Sequence, residues 1–302
     1  MSGHEPVLTV ALPTRNRAAT LARCLAALEP QARETGSQIV VVDDASSDDT
    51  AAVLAARPDV EARRRPEPGG IGTARNDTVD LARAPIVLFV DDDVIAAPGL
   101  LERHLAHHAR HPEPNEALGG RVTWSPEVTV TRHMHWLENG GPLFAFNAIP
   151  DPQDVEWRHF CTANVSVKRS FLGPRPFDGE MERYSDPELA YRLAARGLRL
   201  RYNAAALGHH LRSDTPESTE RRMRLVGRAA RTLHAKHPEL AEPPPPFTAL
   251  SHLKAAAARA ANPLLHAAGV HALDERIFSY RAARAFAQGY AERDREPAKE
   301  RA

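Results

Sequence analysis

Cysteine is nearly absent: the 302-residue chain has two, Cys24 and Cys161. Two thiols cannot build a disulfide scaffold or a four-cysteine zinc site. Cys24 falls in the apolar row Leu21, Cys24, Leu25, Leu28 and reads as a core thiol on a helix. A reduced, cytoplasmic setting is the simplest expectation. Long apolar runs are missing too. Ile39–Val42 and Pro85–Val90 end at carboxylates and are far too short to span a bilayer. Met1 to Val10 has no basic stretch leading into an apolar run, so no signal peptide is expected. There is no excess of charge: 39 basic side chains face 39 acidic ones. That balance argues against a dedicated nucleic-acid binder, and nucleic acid is not expected as a partner. With 42% apolar and 26% charged residues the chain is not a disordered one. Its length suits one large α/β domain or two smaller ones.

What is there alternates. Val7–Leu12, Gln38–Val42, Val60–Arg65 and Pro85–Val90 read as strands. Between them, Asn16–Glu29, Asp49–Ala56 and Ile71–Arg83 carry helical spacing. Pro85–Val90 shows no polar alternation, so it should be buried on both faces. This pattern implies a mostly parallel sheet flanked by helices, with ligands beyond the carboxyl ends of the strands. Residues 98–111 look helical and 117–124 strand-like. Pro126 to Trp157 is interrupted by prolines and reads as loops and short strands; Phe160–Lys168 reads as a strand. Ser185–Arg196 is a marked helix closed by Gly197, followed by a short strand at Arg199–Tyr202. From 216 to 302 the chain turns Ala- and Arg-rich and helical. The expected division is therefore 1–215, with halves of about 1–125 and 126–215, then a helical extension at 216–302.

Three strand ends carry the chemistry: Pro13–Arg17, Asp43-Asp44 and Asp91-Asp92-Asp93. Three adjacent carboxylates repel one another unless a positive charge sits among them. Mg²⁺ and Mn²⁺ take such oxygen ligands together with substrate phosphates. Along an extended segment Asp91 and Asp93 would point one way and Asp92 the other. The competing reading is an acidic cap for the helix near Pro98. Asp43-Asp44 reads either as an Asx turn or as part of a nucleotide site. Gly69-Gly70-Ile71-Gly72 is a short Gly-rich loop, with Arg75 one turn further placed to meet a phosphate or to lie on a solvated face. Ser185 or Asp186 could cap the next helix, Ser185 with Glu188 in a capping box.

These motifs resemble the family 2 glycosyltransferases of the GT-A fold. The resemblance rests on LTVALPTRNR (8–17), IVVVDDASSDDT (39–50), GIGTARNDTVDLARAPIVLFVDDDV (70–94), CTANVSVKR (161–169) and Phe177 to His210. It implies a GT-A (Rossmann-like) fold, a nucleotide-diphosphate sugar donor with UDP-sugar the first choice, a divalent Mn²⁺ or Mg²⁺ cofactor and inversion at the anomeric carbon. The activity implied is hexosyl or N-acetylhexosaminyl transfer, with about 1–125 the nucleotide-sugar half and about 126–215 the acceptor half of a catalytic domain at 1–215. By residue, it implies that Pro13, Thr14, Arg15 and Asp44 line the base, with Asp43 nearby. Asp92 approaches the ribose or diphosphate, Arg75 lies near the diphosphate, and Asp93 matches the metal-binding end of the DxD motif, with Asp91, also a donor-binding residue, at its start. His209 would complete the metal site through the element Gly208-His209-His210-Leu211-Arg212, with His210 the alternative. Asp186 matches the catalytic base, and Thr162 and Asn164 would touch the sugar. Two positions depart from the family pattern: Ser185 stands where Glu is common, and Arg15 where an aromatic residue often stacks on the base.

The acceptor is left open among a glycan, a lipid carrier, a peptide and a small metabolite. Trp136, Trp157 and Phe160 read as an apolar acceptor wall or as core. Arg221, Arg222, Arg224, Arg228 and Arg231 with Leu225, Val226 and Leu233 form a basic amphipathic helix. It reads as a solvated face or as peripheral contact with an anionic membrane; the later helices read as a homo-oligomer interface. Two other function classes compete. A non-catalytic nucleotide-sugar-binding scaffold is one. A sugar nucleotidyltransferase is the other, disfavoured because Pro13–Arg17 contains no Gly.

Overall fold

The computed structural model describes residues 5–143, 146–181, 183–267, 271 and 273–292. The order is β1 (Thr9–Thr14), α1 (Ala18–Thr35), β2 (Gln38–Asp43), α2 (Thr50–Ala55), β3 (Val60–Arg64), α3 (Gly70–Leu81), β4 (Ile86–Val90), β5 (Val94–Ala96), α4 (Leu100–Arg110) and β6 (Glu116–Trp124). Then follow α5 (Arg132–Asn139), β7 (Asn164–Lys168), α6 (Arg169–Leu172), α7 (Ser185–Ala195), β8 (Arg199–His210), α8 (Pro216–Lys236), α9 (Ala249–Ala267) and α10 (Asp274–Ala291).

Eight strands form one sheet in the order β3-β2-β1-β4-β7-β6-β8-β5. The first four are mutually parallel, and β7 joins β4 antiparallel. The sheet is thus mixed: β6 and β8 pair parallel with each other, while β6–β7 and β5–β8 are antiparallel. β1, β2 and β4 are buried along their whole length, as their β-branched, non-alternating sequences require. Consequently the carboxyl ends of β1, β2 and β4, the start of β7 and the end of β8 share one edge.

Several element bounds differ from the sequence reading for physical reasons. α1 runs through Pro30 to Thr35 rather than stopping at Glu29, because Leu28 and Ala32 continue its buried stripe. α5 is a helix where loops were expected; its His133, Met134, Trp136 and Leu137 cluster on one buried face. β8 is twelve residues long instead of four. It survives the Asn203–Ala206 stretch because the pairing with β6 shifts between Gly120 and Arg121. At that shift Asn164 donates to the carbonyls of Arg121 and Ala206 at 3.1 and 2.9 Å. A Cβ on Gly120 would overlap both the Asn164 amide and the Ala206 carbonyl. Gly120→Ala is therefore expected to cost about 1 to 3 kcal/mol, read as a lowered urea midpoint; an unchanged midpoint would refute the tight packing of this bulge.

Beneath the same sheet, His104 joins Ser166 and Asn164 at 2.8 and 2.9 Å, and His108 joins Ser166 at 2.8 Å. Cys24 is fully buried, with its Sγ 3.0 Å from the Val94 carbonyl.

Packing divides the chain into two units, Met1–Val130 with Glu138–Ser213, and Thr131–Leu137 with Asp214–Ala302. Thr131–Leu137 thus belongs with the C-terminal helices, which the expected boundary at 215 did not include. Trp136 and His133 pack on Phe278 in that unit, and Phe160 lies in the core of the other. The three aromatics read as one acceptor wall are therefore distributed between separate cores, Trp157 lying beside Tyr191. α8 begins with a capping box made by Thr215 and Ser218. Its basic stripe is partly paired: Arg222 with Asp214, Arg224 with Gln288 and Glu292, and Arg281 of α10 with Glu217 and Glu220. No described helix is long and apolar enough to cross a membrane.

Candidate active site

Asp91, Asp92 and Asp93 follow β4 directly. The strand stops at Val90 and the next residues turn, so the expected alternation fails. Asp92 and Asp93 share one cation while Asp91 takes another. Arg17 Nη1 lies 3.2 Å from Asp92 Oδ1 and also contacts Asp93 Oδ2. Thr14 Oγ1 donates to Asp92 Oδ2 at 2.7 Å. Arg75 Nη2 donates to Asp91 Oδ1 at 3.4 Å, and its Nη1 donates to Ser185 Oγ at 3.0 Å. The acidic run is not a helix cap: α4 begins after Gly99, without a side-chain cap.

It is His210, not His209, that stands beside Asp93: His210 Nε2 lies 3.4 Å from Asp93 Oδ1. Trp124 packs edge-on against the His210 ring at 5.6 Å. Alternation along β8 carries His209 to the other face. The sequence pair left the choice open because it could not show the parity of the bulged strand.

The three carboxylates differ electrostatically. Burial pushes Asp92 up to about 7 against the pull of Arg17. Burial also raises Asp91; Arg75 opposes it, while Asp93 and Asp186 add to it. Burial opposes ionisation of Asp93 as well, but His210 and Arg17 prevail and bring it down to about 2. The cluster therefore holds more buried negative charge than its two arginines neutralise comfortably.

α7 starts in an unusual way. The residue before it, Tyr184, has a left-handed backbone at φ 62° and offers no side-chain cap. Ser185 and Asp186 are already helical, so neither caps the helix and no capping box forms. Glu188 instead pairs with Arg192 through two bonds of 2.7 Å. Released from capping, Ser185 accepts from Arg75, and Asp186 Oδ2 accepts from Thr162 Oγ1 at 3.3 Å. Asp186 is half-buried. Its charge, after burial itself, helps push the Cys161 thiol up to about 12. Non-glycine residues in left-handed conformation also follow β1 (Asn16, φ 53°) and β2 (Ala45, φ 59°). Such geometry costs on the order of 1 kcal/mol or more per residue and gathers at functional edges.

The remaining expected residues sort clearly. Pro13 and Thr14 end β1 at this edge, and Arg15 is exposed just beyond. Asp43 Oδ1 accepts from the Ser46 amide at 2.8 Å, while its buried Oδ2 has no hydrogen-bond partner. Arg64 Nη1 lies 3.6 Å from that oxygen. Asp44 is engaged in structure. It accepts from the Gly69 and Gly70 amides at 2.7 and 3.0 Å and pairs with Arg65, which anchors the start of α3. Gly70, at φ 81°, suits that turn because glycine has no Cβ to strain. Asn164 is only 2% exposed and bonded at both ends of its amide to the framework, which leaves it no free group for a sugar. Arg75 is committed to Asp91 and Ser185 rather than projecting free toward a diphosphate.

Two contributors escaped the sequence reading. Arg17 was seen only as part of a motif, yet it sits where α1 begins, a place where a cation opposes the helix dipole; that local cost was the available signal. Ser185 looked like a departure and is instead the partner of Arg75.

A mixed sheet gathering carboxylates, an imidazole and a helix-borne Asp at its carboxyl edge is the architecture of GT-A glycosyltransferases. The description "Glycosyl transferase family 2" matches residues 9–172, more than half of the chain, and the chain belongs to that family. It is 30% identical over 228 residues to a validoxylamine A glucosyltransferase of Streptomyces hygroscopicus subsp. jinggangensis, covering 65% of this chain and 53% of that protein. It is 27% identical over 253 residues to a pre-mycofactocin glycosyltransferase of Mycobacterium tuberculosis, covering 78% and 49%. The chain thus spans about half the length of these curated relatives. A mannosyltransferase from Pyrobaculum calidifontis, solved with GDP-Man and Mn²⁺, superposes with a TM-score of 0.61 at 20% identity, over 95% of this chain and 88% of that one. S. aureus TarS 1-349 in complex with UDP superposes at 0.52 and 16% identity, over 94% and 91%.

Proposed function

We propose that the protein transfers a sugar from a nucleoside-diphosphate sugar to a nucleophilic acceptor with inversion, and that Asp186 is its general base. The observation that carries this reading is the Arg75 bridge, which ties the acidic end of β4 to the helix that presents Asp186. A donor held at the first and a base held at the second lie within one connected edge. Membership in the family and the nucleotide-bound relatives support the donor class, and a UDP-sugar is the first donor to test.

The donor set suits a hard divalent ion: the carboxylates of Asp93 and Asp91 with the imidazole of His210. The surplus of buried negative charge in this cluster points the same way. Asp93 and His210 would hold Mn²⁺ or Mg²⁺, with Asp91 at the other end of the run. When bound, such an ion neutralises charge on a departing diphosphate. Pro13, Thr14, Arg15 and the unfilled Asp43 oxygen would meet the nucleoside. Asp186 accepts the proton of an acceptor hydroxyl or amine as that atom attacks the anomeric carbon; the nucleoside diphosphate leaves from the opposite face. Thr162 orients the Asp186 carboxylate, and Arg75 orients Ser185 and Asp91.

The test is a panel of UDP-, GDP- and dTDP-sugars with Mn²⁺ or Mg²⁺, following release of nucleoside diphosphate. One donor is expected to turn over slowly without acceptor, and EDTA or Asp93→Asn should abolish it. His210→Ala is expected to weaken activation by Mn²⁺ at least tenfold, whereas His209→Ala should leave it within about twofold. Failure of every donor to bind or react, with the protein folded, would overturn the reading.

A further inference from the structure

A second constellation lies in the C-terminal unit and shares no residue with the candidate active site. His266 ends the last turn of α9, His271 follows it, and Asp274 opens α10. His266 Nε2 lies 2.7 Å from Asp274 Oδ1, and His271 Nδ1 lies 3.5 Å from Asp274 Oδ2. The three donor atoms fall within 4.8 Å of one another. The two imidazole rings meet edge to face at 4.5 Å.

The hydrogen bonding there is incomplete. Asp274 is only 6% exposed, yet its Oδ2 has no hydrogen-bond partner. His271 Nδ1 and Asn262 Oδ1 are likewise buried and without one. Asn262 Nδ2 does donate to Asp274 Oδ1 at 3.1 Å, which fixes the carboxylate. Buried polar atoms normally find partners, and a group of orphans that are all electron-pair donors asks for a cation. Ring N–H groups on His266 Nε2 and His271 Nδ1 would serve Asp274 Oδ1 and, at a long 3.5 Å, Oδ2, but Asn262 Oδ1 would still have no partner.

We propose that His266, His271 and Asp274 form a binding site for a Zn²⁺-class transition metal that ties the end of α9 to the start of α10. Two imidazole nitrogens and one carboxylate favour zinc over Mg²⁺ or Ca²⁺, which prefer all-oxygen shells. Three protein ligands leave a fourth position for water or a further ligand. The spacing His-x4-His-x2-Asp puts one ligand on α9, one between the helices and one on α10, so binding would stabilise this connection against unfolding. This site does not depend on the proposed sugar transfer.

The test uses the full chain carrying Asp93→Asn, which weakens the other candidate cation site. After EDTA treatment and dialysis, Zn²⁺ is titrated by calorimetry and Co²⁺ by visible absorption. One equivalent of Zn²⁺ is expected at micromolar affinity or tighter, with a rise in Tm and no response to Mg²⁺. Bound Co²⁺ should show ligand-field bands. His271→Ala in the same background should weaken zinc at least tenfold and remove the cobalt bands. The His271 side chain is 28% exposed, so the fold should persist, and circular dichroism checks it. His266→Ala, at a side chain 41% exposed, supplies a second arm. Absence of binding at 100-fold excess zinc, or equal binding in all three proteins, would overturn the site.

Discussion

Asp186→Asn is expected to lower turnover by about 10²- to 10⁴-fold while leaving donor affinity within a few-fold of the parent. The substitution keeps size and hydrogen-bonding shape, so the contact with Thr162 Oγ1 can persist. It removes only the ability to take a proton from the acceptor. Folding should be spared, because Asp186 is half-buried and caps nothing at the start of α7. Initial rates with a saturating donor, beside a thermal-shift titration of that donor, separate the two quantities. A loss under fivefold would remove Asp186 from the role of base. Loss of donor binding in parallel would instead make it a donor contact. Ser185→Ala is a useful companion: it frees one end of Arg75 without touching a carboxylate, and its effect should be smaller.

A second large effect is expected from acid. Burial lowers His104 to about 4, only partly offset by its bond to Asn164, and lowers His108 to about 3. An imidazole in the unfolded chain titrates near 6.5. Between pH 6.5 and 4 the unfolded chain therefore takes up protons that folded His104 refuses. Stability from this residue is complete above pH 6.5 and is lost as pH falls toward 4. For His104 the loss amounts to about 3 kcal/mol across that window. Asp92, raised to about 7, titrates with the opposite sign over the same range, so the total curve mixes the two. The difference between wild type and His104→Gln isolates the histidine. Urea unfolding at pH 7, 6, 5 and 4 should show wild type losing about 3 kcal/mol more than the variant. Parallel curves would mean that His104 is protonated in the fold or that water reaches it.

How far the sequence disclosed all this depends on the range of the interaction concerned. β2 and β4 were legible because apolar, β-branched runs closed by carboxylates depend only on local pattern; β1 was legible as a run but not in its end, since Pro13 reads as closing it and instead lies within the ladder, paired with Val42. The acidic end of β4 and the Asp at the start of α7 were legible for the same reason, since motifs carry their own spacing. Long-range partners were not. Nothing near Ser185 in sequence announces Arg75, 110 positions away. Asn164 looked available because its partners, His104, Arg121 and Ala206, come from three distant segments. Asp44 looked like a ligand contact until the Gly69 and Gly70 amides were seen resting on it. α5 was missed because neighbouring prolines and glycines masked a short amphipathic stretch whose burial is decided by tertiary packing.

The irregular pairing of β6 with β8 has one more consequence, for how this fold tolerates insertions and deletions. Between Gly120 and Arg121 the partner strand advances from Asn203 to Leu207, so Ala204, Ala205 and Ala206 are surplus to the ladder. The face a ladder residue takes is set by its partner on β6, and a bulge takes up extra residues without flipping the pairs that follow. The three alanines are therefore slack. Deleting one or two of them still leaves a residue in the bulge, so Thr123 and Trp124 can keep His209 and His210 as partners and His210 its place beside Asp93. In lineages of this fold, length changes along these two strands should therefore collect in this short alanine stretch, in odd and even steps alike.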